Sequence, residues 1–179
     1  MDYERITQLF FDDLSGNEDN TRRYATAAFR FYAMCGKPLY SEAAELVRAA
    51  AAARGRETLA GIRGGIAKPV EQEIINAERL LAEKAPMLDD IRAVEETLRI
   101  LCNRKYGYDI LKALEYVYFA HPGERPGKGD VAARVARASV QIPASERQIY
   151  YWLREARTIF CRARGLRNYE WKGLVIWIL

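Results

Sequence analysis

Cysteine and histidine are scarce in this sequence, which has three cysteines and one histidine. Cys35, Cys102 and Cys161 lie far apart and are odd in number, so they match neither a disulfide framework nor a metal-ligand spacing. His121 has no histidine or cysteine at ligand spacing, which favours an ordinary loop residue over a metal ligand. We therefore expect no metal site, no cofactor, and three ordinary thiols in a reducing cytoplasm.

Long apolar runs are also absent, since no stretch of about 18 apolar residues occurs to form a transmembrane helix. The first residues, MDYERITQLFFDDL, are acidic where a signal peptide requires basic side chains. We expect a cytoplasmic protein with no membrane partner.

Motifs of enzymatic chemistry are missing as well. The sequence has no nucleophile elbow, no phosphate-binding loop and no paired metal ligands. Its acidic pairs at 12–13, 89–90 and 95–96 are adjacent residues. Neighbours on a helix point about 100° apart, so none of these pairs predicts a shared acid–base site. We expect that the protein is not an enzyme.

Hydrophobic residues make up 50% of the 179 residues and charged residues 29%, which is typical of a folded chain of one domain or two small ones. The net charge of +4 is unevenly distributed. From residue 121 onward, 11 Lys and Arg stand against 5 Asp and Glu, whereas 17 stand against 19 before it. A basic C-terminal third indicates a polyanionic partner for that third, although a solvated basic face is the plainer alternative.

Apolar residues recur at helical spacing through most of the chain, which predicts an all-α fold. Ser41 and Asp130 are predicted to be helix N-caps. The glycine-rich residues 55–68 are predicted to form a linker. Pro86 interrupts an apolar stripe, so its segment is predicted as a helical hairpin or one kinked helix. The predicted stripe consists of Val70, Ile74, Ala77 and Leu81 before Pro86 and of Leu88, Ile91, Val94, Leu98 and Leu101 after it. The predicted regions are an N-terminal helical region for dimerisation or partner binding (1–65), the helical hairpin (66–105), a helix-turn-helix module (106–168) and an apolar tail that is extended or forms a strand (169–179).

The sequence SERQIYYWLREARTIFCRARGL, from Ser145 to Leu166, predicts one long helix. Ser145 with Gln148 three residues later is typical of a capping box, and Gly165 ends the pattern. One predicted buried stripe consists of Ile149, Leu153, Ala156, Phe160 and Ala163, and Trp152 beside it is predicted to be core. A second face is basic and aromatic, with Arg147, Tyr151, Arg154 and Thr158.

From Leu114 to Leu166 the chain resembles the DNA-binding module of sigma-factor region four, with LEYVYF, a loop, VARASVQI and then PASERQIYYWLREA in order. It is also similar to the sigma-like regulators of Gram-positive phages and prophages, of the ArpU and RinA types. The resemblance covers about a third of the chain and implies two helices, the second of which reads the DNA major groove. Pro143 and Ala144 make the turn longer than in that pattern, and Ser139 stands where leucine is usual.

Carried onto this sequence, the resemblance implies Ser145 as the cap of the reading helix and five residues that face DNA. Arg147 suits a guanine edge and Glu146 a cytosine, while Tyr150 and Tyr151 suit a phosphate or a thymine methyl. Phosphate contacts are predicted for Lys128, Arg134, Arg137, Arg154 and Arg157.

These patterns predict a sequence-specific regulator of transcription, of phage or prophage origin, that binds double-stranded DNA. RNA polymerase and a second copy of the chain are further candidate partners. One alternative is a phage small terminase subunit, which also combines a helix-turn-helix with oligomerising helices. Another alternative is a helical protein-interaction module whose basic face meets an acidic protein.

Overall fold

The computed structural model describes residues 20–61, 69–121, 123, 127 and 129–166 of the chain. Within these residues the regular structure is helical and contains no strand, which confirms the predicted all-α fold. The elements are α1 (Asn20–Met34), α2 (Tyr40–Gly61), α3 (Pro69–Cys102), α4 (Gly107–Leu114), a π-helical segment (Glu115–Phe119), α5 (Asp130–Gln141) and α6 (Glu146–Ala163). None of these helices is long and apolar enough to cross a membrane. The first 19 residues of the predicted N-terminal helical region and the apolar tail at 169–179 lie outside the described residues.

Two predicted helix caps are wrong, Asp130 by one residue and Ser41 by two. Helix α2 begins at Tyr40, so Ser41 already lies inside the helix and does not cap it. Helix α5 begins at Asp130 itself, after Gly129 in the left-handed region with a φ of 95°. The Asp130 carboxylate instead accepts a hydrogen bond of 2.6 Å from the backbone N–H of Gly127. This hydrogen bond holds Gly127 against the start of α5. The negative charge of Asp130 also lies at the positive end of the helix dipole.

One predicted boundary also differs from the structure. Helix α2 continues through the first half of the predicted 55–68 linker and ends at Gly61, while residues 62–68 lie outside the described part of the chain. Of the two alternatives predicted for the segment around Pro86, a helical hairpin or one helix, the structure shows one helix, Pro69–Cys102, with Pro86 inside it.

Burial on the far side of Pro86 explains why α3 continues past that residue. A proline inside a helix costs about 3 kcal/mol. After Pro86, Ile91 and Val94 are fully buried as predicted, and α3 packs against α1, α2, α4 and α6. Before Pro86 the predicted stripe is only partly used, since Ile74 and Leu81 are exposed. Packing of the second half therefore outweighs the local cost of the proline.

An aromatic cluster at the centre of the core positions α6. The Phe29 ring of α1 stacks on Tyr118 at a centroid distance of 5.6 Å and contacts Phe160 of α6 at 5.5 Å. Phe119 lies on another side of Phe29, at 6.3 Å. The fully buried Phe29 and Phe160 thus join the first described helix to the last.

Residues 107–119 are helical throughout, but the last five form a π-helical segment. Its wider turn is closed by a hydrogen bond of 2.8 Å from the N–H of Ala120 to the carbonyl of Glu115, five residues earlier. This geometry buries three successive side chains, Val117, Tyr118 and Phe119. The segment therefore presents both aromatic rings to the core at once.

Candidate nucleic-acid interface

Helix α6 begins at a defined cap. Ser145 is extended, with φ −68° and ψ 155°, and its hydroxyl accepts a hydrogen bond of 3.2 Å from the backbone N–H of Gln148. This confirms Ser145 as the N-cap. The four-residue connection from α5 contains Ile142, which is extended and buried and so fixes the approach to α6.

Ser145→Ala is expected to lower the free energy of unfolding by about 1 kcal/mol, because the helix loses the acceptor of its capping hydrogen bond. Urea denaturation followed by circular dichroism measures the change. Ser41→Ala is the matched control, since Ser41 is exposed inside a helix and caps nothing. Equal stabilities of the two variants would contradict the capping role of Ser145.

The inner side of α6 is buried against the body of the protein. Ile149, Leu153, Ala156 and Phe160 are fully buried, and Trp152 is 6% exposed, all as predicted. The predicted stripe ends one turn early, because Ala163 is exposed. The register of α6 is therefore fixed by its apolar side, and the opposite side is left to solvent.

Five side chains predicted to face DNA come together on the solvent side of α6. Glu146, Arg147, Tyr150, Tyr151 and Arg154 are all exposed, Tyr151 by 54% of its surface. The nine residues from 146 to 154 rise about 12 Å along the helix axis. The major groove of B-DNA is about 12 Å wide and admits one helix. Over this length the exposed side of α6 is continuous, and its arginines and tyrosines make it basic and aromatic.

Arg134 is the first predicted phosphate contact that the structure contradicts. Its side chain is only 5% exposed, and Nη1 donates a hydrogen bond of 3.1 Å to the carbonyl of Val117. The spacing in the sequence indicated that Arg134 would be buried, because it lies four residues before Ala138 and so on the same, buried side of α5. Arg134 joins α5 to the π-helical segment and does not face a ligand.

Arg157, another predicted phosphate contact, makes a contact within the protein. It is half-buried, and its Nη1 donates a hydrogen bond of 2.5 Å to the hydroxyl of Tyr118. Arg137 remains exposed on α5, where its Nε donates to the carbonyl of Ala133 at 3.4 Å. Lys128 lies outside the described residues. Of the predicted phosphate contacts, Arg137 and Arg154 therefore remain on an exposed surface.

A buried polar cluster, which the sequence patterns did not predict, holds the end of α6. The carboxylate of Asp90 on α3 accepts hydrogen bonds from the Tyr24 hydroxyl at 2.7 Å and from the Arg164 Nε at 2.6 Å. Asp90 is 5% exposed, whereas its neighbour Asp89 lies 3.8 Å from Arg164 and is half exposed. This cluster joins α1, α3 and the C-terminal cap of α6.

Burial sets the protonation of this cluster. It raises the pKa of Tyr24 well above its ordinary value, and the nearby Asp90 carboxylate adds to that rise. Burial also raises the pKa of Asp90, while the hydrogen bonds from Arg164 and Tyr24 oppose the rise. Tyr24 therefore remains a hydrogen-bond donor at neutral pH, which suits its position against a carboxylate.

A cavity of about 200 Å³ lies between α2 and α3 and is lined almost entirely by apolar side chains. Lys84 and Cys35 are its chemically distinctive lining residues. Burial raises the pKa of the Cys35 thiol to about 11, so this thiol is protonated at neutral pH. The cavity does not contain an activated cysteine nucleophile.

Comparisons with protein-family models, curated proteins and solved structures give no match to this chain. The described residues contain no group of three or more His, Cys, Asp or Glu side chains that could hold a metal ion.

Proposed function

We propose that this chain is a regulator of transcription that binds double-stranded DNA and inserts α6 into the major groove. One observation carries the proposal: α6 is capped at Ser145, buried along one side, and exposes Glu146, Arg147, Tyr150, Tyr151 and Arg154 along the other. The resemblance to sigma-factor region four supports the same orientation, with α5 as the preceding helix.

The first turn of α6 reads sequence in this proposal. Arg147 presents a guanidinium that suits the O6 and N7 acceptors of guanine, and Glu146 suits the amino group of cytosine. Tyr150 and Tyr151 are exposed by 40% and 54%, so their rings and hydroxyls are available to a thymine methyl or a phosphate. These contacts depend on the rigid register that the buried side of α6 provides.

Arg154 and Arg137 hold the phosphate backbone in this proposal. Arg154 lies seven residues after Arg147, which is about two helical turns farther along the same side. Arg137 lies on the preceding helix and is also exposed. Phosphate contacts fix the orientation of a reading helix but carry no sequence information themselves.

A selection from random duplex DNA at low salt tests the function. We expect enrichment of one short motif, and an affinity whose logarithm falls by about 0.9 per neutralised phosphate for each tenfold rise in salt. Failure to retain any duplex at low salt would refute the proposal. If duplex DNA is retained but no motif is enriched, the protein binds DNA without sequence specificity.

A further inference from the structure

A second basic and aromatic surface lies at the turn from α3 into α4. We call it the basic–aromatic corner, formed by Arg104, Lys105, Tyr106, Tyr108 and Lys112. The Lys105 Nζ lies 5.5 Å from the centre of the Tyr106 ring, and the Lys112 Nζ lies 4.6 Å from that of Tyr108. Tyr106 is 52% exposed and Tyr108 71%. Each ring thus holds a cation beside it while much of its surface faces solvent.

The backbone of this corner is held in a tight turn. The N–H of Gly107 donates to the carbonyl of Arg104 at 2.9 Å, and the N–H of Arg104 donates to that of Leu101 at 3.0 Å. A side-chain carbon at Gly107 would lie only 2.3 Å from the carbonyl oxygen of Cys102. Only glycine therefore permits this close approach of backbone to backbone. The turn thus fixes the direction in which the chain leaves α3 and enters α4.

The corner lies directly beside the exposed side of α6. The Arg104 Nη2 is 3.6 Å from the Glu155 Oε1, and the Tyr106 ring centre is 6.3 Å from that of Trp152. Glu155 is four residues after Tyr151, so both lie on one side of α6. The basic–aromatic corner therefore flanks the proposed reading surface on the side of Tyr151.

The charge of the corner suits an anion. Residues 104–112 contain three cations, Arg104, Lys105 and Lys112, and one acidic residue, Asp109, for a net charge of +2. The Arg104 cation is already opposed by Glu155. With Arg104 paired to Glu155, Lys105 and Lys112 are the remaining cations of the corner, and Asp109 is its one carboxylate. Lysine acts on phosphate as a flexible point charge, and tyrosine hydroxyls are common donors to phosphate oxygens.

We propose that the basic–aromatic corner binds the phosphate backbone of the duplex that α6 reads, on the strand flanking the groove next to Tyr151. The inference rests on the proposed function, since it places the corner on the same DNA. Phosphate is favoured over base edges because the corner lies beside α6 rather than on it, and groove width leaves room for one helix. Lys105 and Lys112 supply the charge, and Tyr106 and Tyr108 supply hydroxyl donors.

The double variant Lys105→Gln/Lys112→Gln tests this contact on the full chain. The slope of log affinity against log salt is expected to become shallower by about 1.8, because two phosphate contacts are lost. The preferred DNA sequence is expected to stay unchanged. The matched control is Arg79→Gln/Lys84→Gln, which removes the same charge from the first half of α3 and is expected to leave the slope unchanged. Lys105→Arg/Lys112→Arg is expected to restore the wild-type slope.

Each outcome of this test decides between the two proposals. A slope equal to that of the wild type overturns the corner contact and leaves the role of α6 intact. A changed sequence preference overturns the phosphate assignment, because it shows that the corner reads bases. If the corner variant and its control reduce the salt slope equally, the corner contact is also overturned, because the effect then reflects the net charge of the chain. Absence of duplex binding by the wild-type chain overturns both proposals.

Discussion

Replacing both Arg147 and Arg154 with alanine is expected to weaken duplex binding by about 30- to 1000-fold. A bidentate contact between arginine and a base is worth about 1–3 kcal/mol, and a lost phosphate contact adds to this. Together these losses come to about 2–4 kcal/mol, and each 1.4 kcal/mol changes affinity tenfold. Titration of a labelled duplex carrying the selected motif, monitored by fluorescence anisotropy, measures the effect.

The single variants separate the two roles. Arg147→Ala is expected to relax the preference for one base pair, whereas Arg154→Ala is expected to weaken binding to all duplexes and reduce the salt slope by about 0.9. Arg48→Ala/Arg79→Ala removes the same charge from the exposed surfaces of α2 and α3 and serves as the control. Unchanged binding by the Arg147/Arg154 double variant would refute groove reading by α6 and would favour a protein partner for this face.

Asp90→Ala is expected to lower the free energy of unfolding by about 2–4 kcal/mol. The substitution leaves the Tyr24 hydroxyl and the Arg164 guanidinium without their shared acceptor, and such orphaned partly buried donors are costly. Arg164 retains some access to water, which places the loss below that of a fully buried ion pair. Guanidinium denaturation, followed by far-ultraviolet circular dichroism, measures this loss.

The neighbouring Asp89 offers a matched control for this experiment. Asp89→Ala removes the same carboxylate from the next residue of α3, but Asp89 is half exposed and 3.8 Å from Arg164. A change of about 0.5 kcal/mol or less is expected, as for other exposed ion pairs. If the Asp89 and Asp90 variants lose equal stability, the buried cluster does not hold the end of α6 in the way described.

Features that depend on a few consecutive residues were predictable from the sequence. The cap at Ser145, the left-handed Gly165 just beyond the end of α6, and the buried positions of Ile149, Leu153 and Trp152 all follow from the pattern within one helix. Hydrogen bonds across one turn and apolar residues at spacings of three and four determine them. For the same reason the solvent side of α6 was predictable without any knowledge of the remaining chain.

Arginine side chains were predicted less well, because a charge on a helix does not reveal its partner. Arg134 and Arg157 were predicted at the surface, yet they bind groups that lie 17 and 39 residues away in sequence. Their long aliphatic stems can be buried while the guanidinium finds an acceptor inside the protein. Arg137 and Arg154, on the same two helices, remain exposed. Sequence periodicity alone does not separate these two pairs.

The all-α composition, the capped and amphipathic α6, and the basic–aromatic character of its outer side all follow from the sequence. Those properties arise from local spacing, which each helix carries within its own residues. Three further features depend on how the helices pack together: α3 continues through Pro86, Asp90 accepts hydrogen bonds from Tyr24 and Arg164, and the basic–aromatic corner lies beside α6. These features join residues about 50 to 74 positions apart, or depend on burial from several helices at once. Packing energy, which no single segment contains, therefore sets them.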